Sequence, residues 1–214
     1  MSAQKTIAVF GGSGRTGSEV IRLAVNRGWL VRALVRPASA CEPRPGLQII
    51  RGDLQLPSDV QKTVAGMEAV VCVFGPRSTA EAPFCATATG HVIAAMESTG
   101  VRRLAGLTGA MVGDLPPTVS VAMRSLAGLY RRQVPALAAD AAAQERVIIE
   151  SGLDWTLVKP GRLTDRAATG RVQAGPSVRI GLLSPISRRD LARFILDELC
   201  AGRHVRERVY IRAA

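Results

Sequence analysis

Thr6-Ile-Ala-Val-Phe-Gly-Gly-Ser-Gly-Arg-Thr-Gly17 is the stretch that decides the fold of this chain. An apolar run ends in four closely spaced glycines, and apolar residues at helical spacing then continue to Gly28. This order predicts a strand, a glycine turn and a helix. Glycines permit a tight turn and leave no side chain between the backbone and a phosphate, which the N–H groups of the helix start then face. The stretch therefore predicts a dinucleotide site on Gly11, Gly12, Ser13, Gly14, Arg15, Thr16 and Gly17; a glycine turn without a nucleotide is the weaker alternative.

The end of the second predicted strand indicates which dinucleotide is bound. The apolar run from Trp29 to Val35 is followed by Arg36, and no Asp or Glu occurs between Glu19 and Glu42. Sites that prefer NAD place an acidic residue here to accept hydrogen bonds from the ribose. Arginines instead bind the 2′-phosphate of NADP through charge-assisted hydrogen bonds. Arg36, with Arg15 reaching from the first helix, therefore predicts NADP(H) over NAD(H), unless both are solvated surface arginines.

Strands and helices alternate along the rest of the chain. Further strands are predicted at 47–51, 69–74, 103–107 and 155–158, with a possible edge strand at 208–211. Helices are predicted at 58–65 with Ser58 near the cap, at 84–98, at 137–150, and at 188–200 capped by Ser187. Repeated βα units predict the α/β class, here one doubly wound parallel sheet of the Rossmann type. We expect a single domain over residues 1–214, with substrate-pocket loops at about 75–90, 111–136 and 162–185.

Parallel sheets bind ligands beyond the carboxyl ends of their strands. Asp53 follows the third strand and can accept a hydrogen bond from an adenine amino group, with Leu54 against the ring. A turn or cap role for Asp53 is the alternative. Gly75-Pro76 allows close approach to the cofactor ribose, and Arg77 follows it. Thr108 is the only hydroxyl at the end of the fifth strand and is the candidate catalytic residue, orienting the nicotinamide or a bound water.

Composition limits the function classes. The chain is 47% hydrophobic, but no apolar run is long enough to span a bilayer, and we expect no signal peptide and a cytoplasmic location. The four cysteines are widely spaced, so we expect reduced thiols, with Cys72 in a buried strand. The formal charge is +11, yet arginine pairs are scattered and aromatic residues are only 4%, so nucleic acid is not the expected partner. The charge is better suited to attracting anionic ligands. No metal site is predicted.

Several motifs resemble one family in type and order. The glycine stretch, Val35–Pro37, Gly52-Asp53, Lys62–Gly66, Ser151–Leu153, Trp155–Asp165 and Ile186–Leu191 are similar to the atypical short-chain dehydrogenase/reductases. Within them, the chain resembles the NmrA-like NAD(P)-binding group and its biliverdin reductase B, or NADPH-dependent flavin reductase, type. The resemblance implies a Rossmann domain, NADPH, and a loose pocket over the nicotinamide. It implies nicotinamide near Gly75, Pro76 and Pro160, and the 2′-phosphate on Arg15 and Arg36.

The departures from that family bear on the reaction. Wider relatives use a Tyr and a Lys four residues later, but Tyr130 is followed by Arg131-Arg132-Gln133-Val134. Gly109 replaces the second residue of a Thr-Ser pair, and Gly161 or Arg162 occupies the position of a pocket His. General acid catalysis contributes roughly 10²–10⁴-fold, so a missing acid weakens reactions that protonate a carbonyl oxygen. Hydride transfer to a flavin or quinone depends less on an acid, because the acceptor can take its proton from solvent.

Three functions follow, in order of preference. The first is an NADPH-dependent reductase of a flavin, a quinone or a similar planar small molecule, with flavin a possible substrate. Its acceptor pocket is predicted to include Gly109, Met111, Arg124, Gly161 and Arg162, with Arg77, Arg124 and Arg162 available to an anionic acceptor. The second is a non-catalytic NADP(H)-binding redox sensor with a protein partner. The third, an epimerase or dehydratase of sugar nucleotides, is disfavoured because too little chain follows Asp165 for a large substrate domain.

Overall fold

The computed structural model describes residues 4–76 and 78–214, and within these it contains ten strands and six helices. The strands are β1 Thr6–Phe10, β2 Leu30–Val35, β3 Leu47–Arg51, β4 Ala69–Cys72, β5 Arg103–Leu107, β6 Asp154–Pro160, β7 Arg162–Thr164, β8 Val172–Gly175, β9 Pro185–Ser187 and β10 Glu207–Ala213. The helices are α1 Arg15–Asn26, α2 Pro57–Val64, α3 Cys85–Thr99, α4 Val121–Gln133, α5 Pro135–Glu150 and α6 Arg188–Ala201. None of the helices in these ranges has the length and apolar character needed to span a membrane.

The main sheet confirms the predicted fold class. Its strand order is β3-β2-β1-β4-β5-β6-β10-β8, and every pairing is parallel except that of β8 with β10. Strand β1 lies between β2 and β4, with Val9 opposite both Ala33 and Val71. The chain moves outward from β1 to β3 and then returns to continue from β4 on the other side. This reversal creates the crevice in which doubly wound sheets bind ligands.

Both faces of the central strands are buried, which explains their uninterrupted apolar sequences. Side chains alternate across a strand, so Ile7 and Val9 face the layer formed by α1 and α6, while Ala8 and Phe10 face α2, α3 and α5. The strand therefore shows no alternation of polar and apolar residues. Because β1, β2 and β4 are parallel, their carboxyl ends meet at one edge of the sheet, between the helix layers.

Three local predictions need correction. The helix predicted at 58–65, with Ser58 near its cap, lies one residue earlier: α2 begins at Pro57 with Leu56 as the N-cap, and proline suits the first helical position since its missing N–H needs no partner. The segment 111–136, predicted as a pocket loop, contains α4, whose start is capped by the Ser120 hydroxyl. The strand expected at the edge over 208–211 is β10, which lies between β6 and β8. The edge strand β8 is short and has no strong apolar pattern, so the sequence did not reveal it.

Aspartate side chains form hydrogen bonds at the starts of two helices. The Asp140 carboxylate of α5 accepts hydrogen bonds from the backbone N–H groups of Phe84, Cys85 and Ala86 at 2.8–3.0 Å, which ties α3 to α5. At α6, Asp190 exchanges hydrogen bonds with Ser187 and also accepts from Thr169 and Gly170. The second set anchors the segment after β7 to the helix start. Burial alone would raise the pKa of Asp190, but these hydrogen bonds outweigh it and hold the pKa below its ordinary value.

Two of the four cysteines are buried, and the position of Cys72 in a buried strand agrees with the prediction. Cys72 lies in β4 and is 1% exposed, as expected from its apolar neighbours, and burial raises its pKa well above the usual range. Cys85 opens α3 beneath Asp140; burial, with help from that carboxylate, raises its pKa to about 12. Both thiols therefore stay protonated at neutral pH. All four cysteines are free.

We expect Asp190→Asn to lower the free energy of unfolding by about 1–3 kcal/mol at neutral pH, because it weakens hydrogen bonds to a buried carboxylate. The folded-state pKa is depressed, so this stabilisation is complete above the unfolded value of about 4 and is lost as pH falls through the folded value. Urea unfolding over a pH series measures the difference. Asp197→Asn is the control, since Asp197 forms a half-exposed pair with Arg27 and should cost no more than about 0.5 kcal/mol. Equal losses, or a loss that grows in acid, would contradict the assignment.

Candidate dinucleotide-binding cleft

Backbone groups pack so closely in the glycine turn that side chains are excluded. Gly11 has φ of 87°, and a Cβ there would lie 2.8 Å from the backbone of Val73 and Phe74. A Cβ on Gly17 would overlap the carbonyl oxygen of Gly11. The N–H of Gly14 donates to the same carbonyl at 3.0 Å. The turn can therefore bring α1 against the end of β1 only with glycine at these positions.

The start of α1 leaves its N–H groups available to an anion. Its N-cap is Gly14, no described side chain caps it, and its first turn has no acidic residue. The start of α3 differs, because the Asp140 carboxylate already accepts three of its N–H groups. Unpaired N–H groups and the positive end of the helix dipole favour a negative ligand at α1. The residues present fit a pyrophosphate at this position.

A cleft of about 490 Å³ opens above this turn, within the range of small-ligand sites. It lies at the carboxyl ends of β1, β2, β3 and β4. The predicted cofactor residues that line it are Gly11, Ser13, Gly14, Arg15, Arg36, Asp53, Leu54, Gly75 and Pro76. Gly12, Thr16 and Gly17 lie within the same turn, and Thr108 and Pro160 lie farther along the sheet at β5 and β6. Arg77 lies outside the described residues.

The two predicted phosphate-binding arginines occupy different parts of the cleft. Arg36, at the end of β2, lies 3.8 Å from the carboxylate of Glu81. Arg15 instead donates to Asp165 at 2.9 Å, and Asp165 also accepts from Arg188. The pair of Arg15 with Asp165 is well exposed, and such pairs add little stability. A role for Arg15 at the 2′-phosphate remains a prediction.

The Asp53 side chain stabilises the turn in which it lies. Its carboxylate accepts a hydrogen bond from the backbone N–H of Gln55 at 2.9 Å, the geometry by which Asp stabilises a turn. Its backbone N–H donates to Asp59 of α2. The alternative role proposed from the sequence is thus present, and contact of Asp53 and Leu54 with adenine remains a prediction.

Thr108 belongs to a buried charged network. Its hydroxyl donates to Oε1 of Glu145 at 2.7 Å, and the same oxygen pairs with the ammonium of Lys159. Lys159 also donates to the carbonyl of Val112 at 2.9 Å. Burial lowers the pKa of Lys159, while the Glu145 carboxylate opposes that effect and favours the charged form. The network joins β5, α5 and β6 beside the predicted nicotinamide end of the cleft.

Tyr210 of β10 packs beside Lys159 from the neighbouring strand. Its ring centroid lies 5.9 Å from Nζ of Lys159, and burial raises its pKa to about 12. The phenol is therefore neutral at physiological pH and 2% exposed. It packs beside the ammonium as a polarisable neighbour.

The sequence analysis missed Glu145, Glu81 and Tyr210 as site residues, and it noted Lys159 only within a motif. A signal existed for Lys159, which continues the buried run Trp155–Val158, because a lysine inside such a strand requires a partner. The identity of that partner could not be read from the sequence. Glu145 lies in an alanine-rich helix, and Glu81 lies far from Arg36 along the chain.

The predicted acceptor-pocket residues do not line the cleft at the glycine turn. Arg124 donates to the carbonyls of Val119 and Pro116, so it holds the loop before α4 instead of pointing to the cleft. Met111 lines a small separate cavity with Tyr130. Gly161 packs against the carbonyl of Ser184, and the exposed Arg162 opens β7. Gly109 lies beside Val112, just after Thr108. Within the described ranges, no group of three or more His, Cys, Asp or Glu residues could hold a metal ion.

The fold and the cleft define a Rossmann-type dinucleotide-binding protein. A family model described as NAD(P)H-binding matches residues 11–201, and the chain belongs to this family. The resemblance drawn from the motifs is thus confirmed at the level of the family.

Comparisons with known proteins extend this result. The chain is 31% identical over 157 residues to the NAD(P)H azoreductase of Xenophilus azovorans, covering 72% of this chain and 47% of the azoreductase. It spans 64% of the length of a second curated relative. The anaerobillin reductase ChuY of Escherichia coli O157:H7 superposes with a TM-score of 0.81 at 23% identity, covering 98% of this chain and 97% of ChuY. A candidate NADH-flavin reductase of Streptococcus pneumoniae superposes with a TM-score of 0.80 at 24% identity, covering 98% and 100%. At such identity the two structural likenesses show the fold.

We expect Gly17→Ala to destabilise the protein by about 1–3 kcal/mol and to weaken NADPH binding more than tenfold, because the new methyl group forces α1 away from Gly11. Gly90→Ala is the matched control. Gly90 lies within α3 with open space around a Cβ, so alanine should be neutral or stabilising by about 0.5–1 kcal/mol. Urea unfolding and calorimetric titration with NADPH measure both effects. Unchanged binding in Gly17→Ala would show that the turn does not hold the pyrophosphate.

Proposed function

We propose that this protein is an NADPH-dependent reductase of a planar small-molecule acceptor, such as a flavin or a quinone. The observation that supports this most directly is the pairing of two features at one edge of the sheet: the uncapped start of α1 faces the cleft, and farther along, at the end of β5, the Thr108 hydroxyl donates its proton to Glu145. A bound nicotinamide cofactor supplies the hydride. The residues around Thr108 position and orient ligands, and the proton comes from solvent.

Thr108 acts as an acceptor of hydrogen bonds. A hydroxyl has one proton and two lone pairs, and the proton of Thr108 lies on Glu145. The buried ammonium of Lys159 pairs with the same carboxylate oxygen of Glu145, and this contact holds the carboxylate where it accepts the hydroxyl proton. Thr108 is partly exposed, so its oxygen can accept from a ligand amide or N–H group. It cannot protonate a carbonyl oxygen while it donates to Glu145, which favours acceptors that need no acid from the protein.

We infer that NADP(H) is preferred over NAD(H). Arg36 lines the cleft at the end of β2, where a guanidinium can form charge-assisted hydrogen bonds with a 2′-phosphate. The strand end itself bears no carboxylate. The strongly basic chain also attracts anionic ligands over a longer range.

The relatives are consistent with such a reaction. One curated relative is an NAD(P)H azoreductase, and structural neighbours include an anaerobillin reductase and a candidate NADH-flavin reductase. Their names describe acceptors with extended conjugation. This supports a planar acceptor class for the present protein and leaves the individual acceptor to experiment.

A second function is a non-catalytic NADP(H)-binding sensor that reports the redox state to a protein partner. The commitment of Thr108 to Glu145 favours it, because the same geometry removes a proton donor from the site. The two functions share the cofactor cleft and differ in turnover. They can therefore be separated by one assay.

The deciding experiment follows the absorbance of NADPH in the presence of riboflavin, FMN, FAD, several quinones and an azo dye. The proposed function requires at least one acceptor to oxidise NADPH faster with protein than in buffer. If none does while NADPH binds, the sensor function is supported, and a pull-down comparing ligand-free and NADP-loaded protein tests for the partner. If NADPH does not bind at all, both functions are wrong.

We expect Thr108→Val to reduce kcat for the best acceptor by about 5- to 10-fold, which corresponds to the loss of one hydrogen bond. The Kd for NADPH should change little, because the pyrophosphate and adenosine contacts remain. Thr108→Ser, which keeps the hydroxyl, is the control and should retain activity. Steady-state kinetics over pH 6–9 and direct titration separate the two quantities. A large loss of NADPH affinity with unchanged kcat would place Thr108 in cofactor binding alone.

We expect Arg36→Ala to weaken NADPH binding by about 10- to 100-fold, because hydrogen bonds to a charged group contribute about 1.5–3 kcal/mol. The affinity for NADH should change much less. Arg44→Ala removes the same charge from the turn before β3, outside the cleft, and controls for net charge. Equal affinities of the wild-type protein for NADPH and NADH would show that the inferred preference is wrong.

A further inference from the structure

A carboxylate faces the predicted 2′-phosphate position from outside β2. Glu81 lies in the segment between β4 and α3, and its Oε1 is 3.8 Å from Nη1 of Arg36. Both residues line the cleft, with Glu81 29% exposed and Arg36 53% exposed. The end of β2 has no carboxylate of its own, but the Glu81 carboxylate lies beside it.

The base of this segment is held by contacts independent of the ion pair. Phe74, after β4, and Phe84, before α3, lie with ring centroids 6.2 Å apart and planes inclined by 28°. The Asp140 carboxylate binds the N–H groups of Phe84 and Cys85. The segment therefore leaves the sheet and returns to it at fixed points. Glu81 is placed at the cleft by this framework as well as by its attraction to Arg36.

A 2′-phosphate and the Glu81 carboxylate would compete for one guanidinium. Each can accept hydrogen bonds from Arg36, and the two are negatively charged, so bringing both to Arg36 costs energy. A ribose 2′-hydroxyl behaves differently, because it can donate to a carboxylate. Acidic residues at the end of β2 recognise NAD in this way.

We propose that Glu81 is a specificity-determining residue of the cofactor site, which lowers the affinity for NADPH and supports the binding of NADH. Arg36 and Glu81 then act as opposed determinants. Arg36 favours the phosphorylated ribose, and Glu81 favours the free hydroxyl. The protein then discriminates between NADPH and NADH less strongly than it would if Arg36 acted alone.

This inference rests on the dinucleotide cleft of the proposed function and does not depend on reductase activity. It is therefore tested by binding. Glu81→Gln keeps the size and hydrogen-bonding reach of the side chain and removes its charge. Calorimetric titrations use NADPH, NADH and adenosine 2′,5′-bisphosphate, at low and at physiological ionic strength.

We expect Glu81→Gln to bind NADPH and the bisphosphate about 5- to 10-fold more tightly at low salt, with a smaller gain at higher salt because the repulsion is screened. The affinity for NADH should be unchanged or lower. Glu97→Gln is the matched control, since Glu97 is exposed in the last turn of α3, about 18 Å along the helix from Cys85. It alters the net charge equally and should leave the ratio of the two affinities unchanged.

A double-mutant cycle tests whether Glu81 acts through Arg36. Glu81→Gln is expected to change the logarithm of the ratio of NADPH to NADH affinity. In the Arg36→Ala background this change should be less than half of the change in the wild type. An unchanged ratio in Glu81→Gln, or an equal gain in Glu97→Gln, would overturn the inference and leave the reductase proposal intact. If the ratio shifts as expected but no acceptor is reduced, the inference stands and the reductase proposal fails. Absence of dinucleotide binding would overturn both.

Discussion

The close approach of α1 to the end of β1 is the constraint on which the rest of the cleft depends. At Gly17 the helix backbone meets the carbonyl of Gly11, and Gly11 in turn lies against the backbone of Val73 and Phe74. Three segments thus meet with no side chain between them. This contact aims the first N–H groups of α1 at the crevice between β1 and β4, where the strand order reverses. A larger residue at either glycine would separate the helix from the sheet.

The starts of α1, α3 and α6 are satisfied in different ways. Asp140 occupies the start of α3, and Ser187 with Asp190 closes the start of α6. Gly14 at α1 offers no side chain, so the unpaired N–H groups there need an external partner. The carboxylates at α3 and α6 thus stabilise the helix packing, whereas the start of α1 faces the cleft.

The buried network of Thr108, Glu145 and Lys159 supplies the second fixed point. An isolated charge within the fully buried part of β6 would be costly, but the ion pair and the carbonyl of Val112 compensate Lys159. Because Glu145 belongs to α5 and Thr108 follows β5, the pair also sets where that hydroxyl points. The buried ion pair thus orients a partly exposed hydroxyl at the end of β5. In the proposed reductase, this network is how a site without a Tyr/Lys pair would present a defined hydroxyl.

The sequence by itself determined the fold class, the glycine turn and the arginine at the end of β2. These features are local: a strand buried on both faces is apolar throughout, a turn without room for Cβ atoms requires glycine, and both patterns are visible within a few residues. Only the tertiary structure decided that β10 lies inside the sheet, that Arg124 holds its own loop, and that Glu145 and Glu81 face Thr108 and Arg36. Such pairings join residues that are distant in the chain. Their geometry depends on how helices pack on the sheet, and no local pattern of residues encodes which side chains will then meet.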